Sequence, residues 1–168
     1  EALRKESPLA AAARLAKQSD VPETVERGPV NIGRFEVTRA QYRAFDSSYA
    51  VKPGTENYPV SGVSFEKARA YCEWLSKKTG RKYRLGTEEE LGGLLKASKS
   101  ENTLDAWAGY AVNADDEKRL ASMVDGLGDG ALLKPVGSYA GAGDEPLFDL
   151  GGNVAEWVTA KDGSGKVI

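Results

Sequence analysis

Apolar residues recur at helical spacing in three places along the chain, and each run follows a residue suited to cap a helix. Thr38 precedes Arg39–Phe45, where Tyr42 and Phe45 share a face. Ser64 precedes Phe65–Thr79, where Phe65, Ala68, Tyr71, Cys72 and Leu75 line one side. That helix carries Glu66 in its first turn, Lys77 and Lys78 in its last, and Gly80 as terminator, all favourable to the helix dipole and its C-cap. Thr87 with Glu90 three residues later has the spacing of a capping box and opens Glu88–Ala97, whose buried face is Leu91, Leu94 and Leu95. The pair Gly92-Gly93 costs that helix about 2 kcal/mol of propensity relative to alanine, so either another backbone packs there or the helix is irregular.

Outside these helices the periodicity is weaker. Residues 7–17 predict a short alanine-rich helix, with Ser7 as N-cap and Pro8 at the first helical position. Residues 19–28, with Pro22 and many charges, predict a linker, so the domain proper is expected from Pro29: 1–28 as helix and linker, 29–168 as the folded unit. Strands are expected at 32–37, 81–85 and 154–158, a long polar loop at 46–59, a single helical turn at 117–123 and a polar tail at 161–166. Helices early and short irregular strands late give an α+β fold class.

Composition excludes several classes. A net charge of −2, from 23 basic and 25 acidic residues among 168, is too balanced for a nucleic-acid-binding surface read from charge alone. No apolar run is long enough to span a bilayer. The chain opens on Glu1, which suggests a processed or excised piece, and an extracytoplasmic setting is favoured. Histidine is absent, which removes the commonest general base and the commonest transition-metal ligand. Cys72 is the single cysteine, so neither an intrachain disulfide nor a two-thiolate metal site can form; on the helix face with Tyr71 and Leu75 it is expected to be a buried, inert thiol.

The densest chemistry lies between Leu147 and Val158. Asp149, Asn153 and Glu156 offer oxygens there, and Gly151 and Gly152 allow positive φ, so carbonyls can turn toward one hard cation. Trp157 is expected in the core. The acid-glycine run from Asp125 to Gly130 lacks the twelve-residue pattern and closing glutamate of an EF-hand. Tyr49, Tyr58, Trp107 and Tyr110 are aromatics in loop-like contexts that could line a recognition surface, Trp107 being equally suited to plug the core.

Phe148-Asp149-Leu150-Gly151-Gly152-Asn153-Val154-Ala155-Glu156-Trp157-Val158 resembles the Gly-Asn-Val-Trp-Glu-Trp signature of the formylglycine-generating, or sulfatase-modifying factor, family. Three upstream segments agree in order: Phe35-Glu36-Val37-Thr38 with Gln41, Tyr42 and Phe45; Pro59-Val60-Ser61-Gly62-Val63-Ser64-Phe65 running into Tyr71-Cys72-Glu73-Trp74-Leu75; and Tyr83-Arg84-Leu85-Gly86-Thr87-Glu88. Pro135-Val136-Gly137-Ser138-Tyr139 is similar to a further family strand. The resemblance implies a C-type-lectin-like fold with little regular structure.

It also implies two structural calcium sites. At the first, the family's ligands fall on Asn113, the Ala114 carbonyl, Asp125 and the Leu127 carbonyl; at the second, on Asp149, the Gly152 and Val154 carbonyls and Glu156. Family enzymes oxidise a substrate cysteine with copper held by two cysteines that follow the Gly-Asn-Val segment, and this chain has no such pair, so no copper is expected. A related branch of iron-dependent sulfoxide synthases needs histidines, which are also lacking. Relatives without catalytic residues serve as binding or sensing domains, some in bacterial kinase-linked or secretion-linked systems. The expected function is therefore a non-catalytic binding or regulatory domain, calcium-stabilised, that recognises a protein or small ligand. Two other readings stand beside it: the N-terminal part of an oxidase whose copper-binding cysteines lie beyond the chain, and a lectin-like carbohydrate-binding module.

Overall fold

The computed structural model describes residues 19–97, 110, 113–126, 132–138 and 147–168. In order the elements are β1 (Thr24–Arg27), β2 (Val30–Gly33), α1 (Arg39–Phe45), α2 (Phe65–Thr79), α3 (Glu88–Ala97), α4 (Ala114–Asp125), β3 (Trp157–Thr159) and β4 (Gly165–Val167). Helices beside two separate two-stranded antiparallel sheets make this an α+β chain.

The three capped helices form where their sequence places them. Thr38 accepts from the Gln41 amide and Gln41 reaches back to the Thr38 amide, a complete capping box. Ser64 caps α2, and Gly80 ends it in the left-handed region at φ 70°, donating to Ser76. Thr87 and Glu90 exchange bonds of 2.8 and 3.2 Å, and Arg84 grips the same carboxylate at 2.7 and 2.8 Å. Arg84 first, then the Thr87 amide, hold Glu90 at about 2, well below the usual carboxylate range. A Cβ at Gly92 or Gly93 would meet nothing among the described residues, so none of their backbones accounts for the pair, and α3 forms across it.

Several expectations change. The stretch expected as a linker contains β1, which pairs with β2 in the register Val25↔Ile32 across a turn at Gly28 (φ 59°). Only Val25 of that strand is fully buried, and one apolar residue among charges leaves no pattern to detect. The strand expected at 32–37 is β2 alone, Val30–Gly33, followed by extended chain that bridges Thr38 to Pro59. Residues 81–85 form no strand; their extended path ends in a single parallel bridge from Thr87 to Thr159. Residues 135–138 make a turn, not a strand. The tail at 161–166 is in fact a hairpin: β3 pairs with β4, Gly163 takes φ 84°, and Asp162 accepts from the Ser164 amide at 2.9 Å. A dipeptide Asp-Gly is itself a hairpin signal. The single turn expected at 117–123 is a twelve-residue helix, α4. The expected helix at 7–17, Trp107 and Tyr139 lie outside the described residues.

Two clusters make the core. The larger joins Tyr42, Tyr71 and Leu75, with Phe45, Tyr49, Val60 and Trp74 against them. Its rings meet edge-on or tilted, with Tyr42 5.1 Å from Tyr49 and Phe45 5.8 Å from Trp74, within the range in which aromatic pairs attract. The smaller joins Phe35 and Val136, with Phe148 stacked on Phe35 at 4.8 Å. Phe65 lies so close over Gly165 that a Cβ there would sit 2.3 Å from the ring, which ties the last hairpin to the start of α2.

Candidate metal-binding loop and cavity

Residues 147–156 are pinned to two earlier parts of the chain. The Phe148 amide donates to the Arg34 carbonyl at 2.9 Å. Asp149 is 2% exposed, and its Oδ2 accepts from the Gly137 amide. Asn153 donates through Nδ2 to Glu36 Oε2 at 2.6 Å and accepts through Oδ1 from the Lys134 amide at 2.8 Å. The Val154 amide donates to Glu36 Oε1 at 3.2 Å. Positive φ falls on Asp149 (59°) and Asn153 (67°), not on Gly151 or Gly152 as the sequence suggests. Short polar side chains tolerate that region because they bond locally, and here Asn153 is held in it by three hydrogen bonds, two with the Lys134 backbone and one to Glu36.

This docking brings Glu36 within electrostatic reach of two further carboxyls, Asp149 and Glu156. Burial raises Glu36 to about 9, and the charges of Asp149 and Glu156 add to the rise against the opposing bonds from Asn153 and Val154. Burial likewise raises Glu156 to about 8, with Asp149 contributing. The Gly152 and Val154 carbonyls accept no hydrogen bond among the described residues. Asp149, Gly152, Val154 and Glu156, the second expected set, therefore lie together on one loop and its exit, two acids beside two unused carbonyls. Among the described residues no three acidic or thiol side chains converge as a cation cage. A set with only two side-chain ligands would not make one.

The first expected set is not brought together. Asn113 is the N-cap of α4: its Oδ1 accepts from the Asp115 and Asp116 amides, both at 3.0 Å, and its carbonyl accepts from Glu117. Ala114 is the first residue of that helix and Asp125 its last, about 17 Å apart at 1.5 Å per residue. Oxygens at opposite ends of one helix cannot share an ion whose ligands lie at 2.3–2.6 Å. Leu127 lies outside the described residues.

Glu36 is the residue that sequence reasoning missed. It stands between Phe35 and Val37 in an extended stretch, where alternation suggests a solvent-facing position. Its partner Asn153 is 117 residues away, so no local signal marks it.

Trp157 is half-buried, its indole N–H donating to the Val63 carbonyl at 2.9 Å. Tyr49 packs on Tyr42 and bonds Ser61, so it belongs to the core, not to a recognition surface. Tyr58 lies under the Arg39 guanidinium, and Tyr110 is 53% exposed. Cys72 is half-buried, less than its helix face suggests, and burial pushes its thiol up to about 11, with Glu73 adding to the effect. It lines a cavity of about 1120 Å³ between the β1–β2 hairpin, α2, residues 81–86 and the loop 148–157.

The profile of the sulfatase-modifying factor enzyme 1-like domain matches residues 9–166 of the chain. The chain belongs to that family. No curated protein and no solved structure matches it. Membership covers nearly the whole sequence, including β1, which the expected boundary at Pro29 left out. Among the described residues no helix is long and apolar enough to cross a membrane.

Proposed function

We propose that this family member is a non-catalytic binding or regulatory domain, built on a C-type-lectin-like frame and stabilised by one calcium ion held by Asp149, Gly152, Val154 and Glu156. The observation that carries the calcium reading is the company that Glu156 keeps: its carboxyl, raised by burial and by the charge of the buried Asp149, stands on the same loop as the Gly152 and Val154 carbonyls, which have no donor among the described residues. A buried acid in this position either keeps a proton or acquires a cation. All-oxygen ligands with two formal charges suit a hard dication, and sites of low charge fill at millimolar concentrations, which fits an extracytoplasmic setting. Glu36 completes the arrangement from outside the ligand set, positioning Asn153 and Val154 through its two oxygens.

The non-catalytic reading rests on Cys72. It is the only thiol, it lies on α2 away from any second thiolate, and burial keeps it protonated at neutral pH. Copper(I) chemistry calls for soft ligands in pairs. Incubation with copper and a cysteine-containing sulfatase peptide should give no aldehyde above a no-enzyme control; aldehyde formation would return the chain to the enzymes of its family.

Calcium is tested by thermal melting. A ligand that binds only the folded state adds about 2.7 kcal/mol at one hundred times its dissociation constant. Melting in calcium should exceed melting in chelator by several degrees, and Glu156→Ala should remove most of the gap. Superimposable curves from a sample shown to be metal-free at the start would end the proposal.

A further inference from the structure

Two stretches of extended chain open onto the cavity with backbone groups that no described residue uses. The Arg34 amide donates to the Glu23 carbonyl at 2.8 Å, one step beyond the pair Thr24↔Gly33. Antiparallel ladders alternate hydrogen-bonded pairs with unbonded ones, so Val25↔Ile32 and Arg27↔Val30 are bonded pairs, and Thr24↔Gly33 and Glu26↔Asn31 are not. The amides and carbonyls of Asn31 and Gly33 therefore point away from β1, along the open edge of β2. On the second stretch Tyr83 is tied to α2: its amide donates to Ser76 Oγ at 2.8 Å and its carbonyl accepts from that hydroxyl at 3.3 Å. Backbone groups of neighbouring residues in extended chain point to opposite sides, so those of Lys82 and Arg84 point away from α2, and none has a partner among the described residues. Every residue of β2 and every residue of 81–86 lines the cavity, side chains of both faces alike, so the cavity follows both edges.

We propose that the cavity takes an extended peptide segment of a partner protein, apolar along its length and acidic at its ends, which pairs as a strand with the free backbone of Asn31 and Gly33 and of Lys82 and Arg84. An open strand edge is a template for another chain, and strand addition draws its affinity from main-chain hydrogen bonds and its specificity from pockets for alternate side chains. Ile32, Val37, Leu85, Leu91, Phe148 and Leu150 supply apolar walls for such pockets. The cavity, about 1120 Å³, is larger than a drug-sized ligand needs, which leaves room for a peptide. Charge selects the ends. Of the acids in the lining, Glu90 is taken up by Arg84 at 2.7 Å, Glu36 is bonded by Asn153 and Val154, and Glu156 belongs to the calcium site proposed above. Arg81 and Lys82 are exposed at the cavity wall with no acid paired to either among the described residues. The inference gives the binding reading a site and a partner class, and it does not depend on calcium.

The probe is a short peptide that alternates valine and threonine between terminal aspartates, carries a rhodamine label, and is titrated into the whole chain in chelator with fluorescence anisotropy as the readout. Saturable binding at one peptide per chain is expected. The same peptide N-methylated at alternate residues keeps its side chains but loses the donors on one edge, and it should bind at least about tenfold more weakly, the equivalent of one hydrogen bond. A version ended by lysines should also bind more weakly, and that difference should shrink in high salt and in the double variant Arg81→Ala, Lys82→Ala. Asn31→Pro removes an outward N–H while sparing the bonded pairs of the ladder, and Lys82→Pro does so on the second edge; each should weaken binding about tenfold with the melting temperature unchanged. Absence of saturable binding would overturn the proposal, as would equal affinity for the N-methylated peptide, a result that needs no protein variant. Equal affinity for the lysine-ended peptide would overturn the choice of an acidic partner. Dimerisation of the chain that the peptide does not reverse would assign the edges to a second copy instead. Failure of any of these leaves the calcium melting test untouched, because no calcium is present.

Discussion

The aromatic cluster around Tyr42, Tyr71 and Leu75 and the loop at 147–156 both bury side chains, and they do so by opposite means. In the first, rings and aliphatic groups from α1 and α2 pack against each other, contacts that are non-directional and indifferent to pH. In the second, the buried groups are carboxyls and an amide, each held by a particular donor: Gly137 for Asp149, Asn153 and Val154 for Glu36. The first region can tolerate an imperfect fit at the cost of dispersion. The second cannot lose one donor without stranding a polar group, because a buried polar group without its partner is worse than none. Stability should therefore reside mainly in the helices, and sensitivity to solution conditions mainly in the loop.

The sharpest way to break that contrast is to cut both regions and compare. Leu75→Ala removes a fully buried side chain from the packed cluster and should cost about 2–5 kcal/mol, read by denaturant unfolding, equally with and without calcium. Asp149→Ala leaves the Gly137 amide without its acceptor and should cost less, about 1–3 kcal/mol, but should also abolish the calcium response. A calcium response lost in Leu75→Ala and kept in Asp149→Ala would invert the division.

A subtler test is pH. Carboxyls whose folded values are about 9 for Glu36 and about 8 for Glu156 lie above the ordinary 4.5, so the folded state holds protons that the unfolded state has released. The stability they contribute is complete below about 4.5 and is lost as pH rises through 8 and 9. In chelator, the melting temperature should thus fall between pH 5 and pH 9. Glu36→Gln, which removes the charge and keeps an acceptor for the Val154 amide, should flatten that fall. A melting temperature that rises over the same interval would contradict the assigned burial. The smallest expected effect lies outside both regions: Gly93→Ala, on an open part of α3, should stabilise by up to about 1 kcal/mol through helix propensity. Destabilisation there would reveal a contact on that face.

The same contrast explains what the sequence discloses. Arg39–Phe45, Phe65–Thr79 and Glu88–Ala97 are legible to the residue because their caps, Thr38, Ser64 and Thr87, act within three positions of themselves. β1 and β4 are not legible: each is short, and its pairing is decided by a turn more than by its own alternation. Asn113 is expected from the resemblance as a metal ligand, and its role as cap of α4 shows only in the Asp115 and Asp116 amides that donate to it. Within the loop, Asp149 and Glu156 stand out as acids among apolar neighbours. Glu36 does not, since what makes it part of the site is a contact made across most of the chain.

That contact has a consequence for the order in which the molecule is made. Glu36 leaves the ribosome 117 residues before Asn153, an interval on the order of ten seconds at cellular rates of synthesis. The pairs Trp157 with Val63 and Phe148 with Arg34 wait nearly as long. During that interval α1 and α2 can collapse on their own local contacts, whereas the carboxylate of Glu36 has only water for a partner and keeps its own segment from being buried prematurely. Until Asn153 and Val154 are made, Glu36 lacks both of the donors that hold it in the folded chain, so this pairing is among the last that synthesis allows.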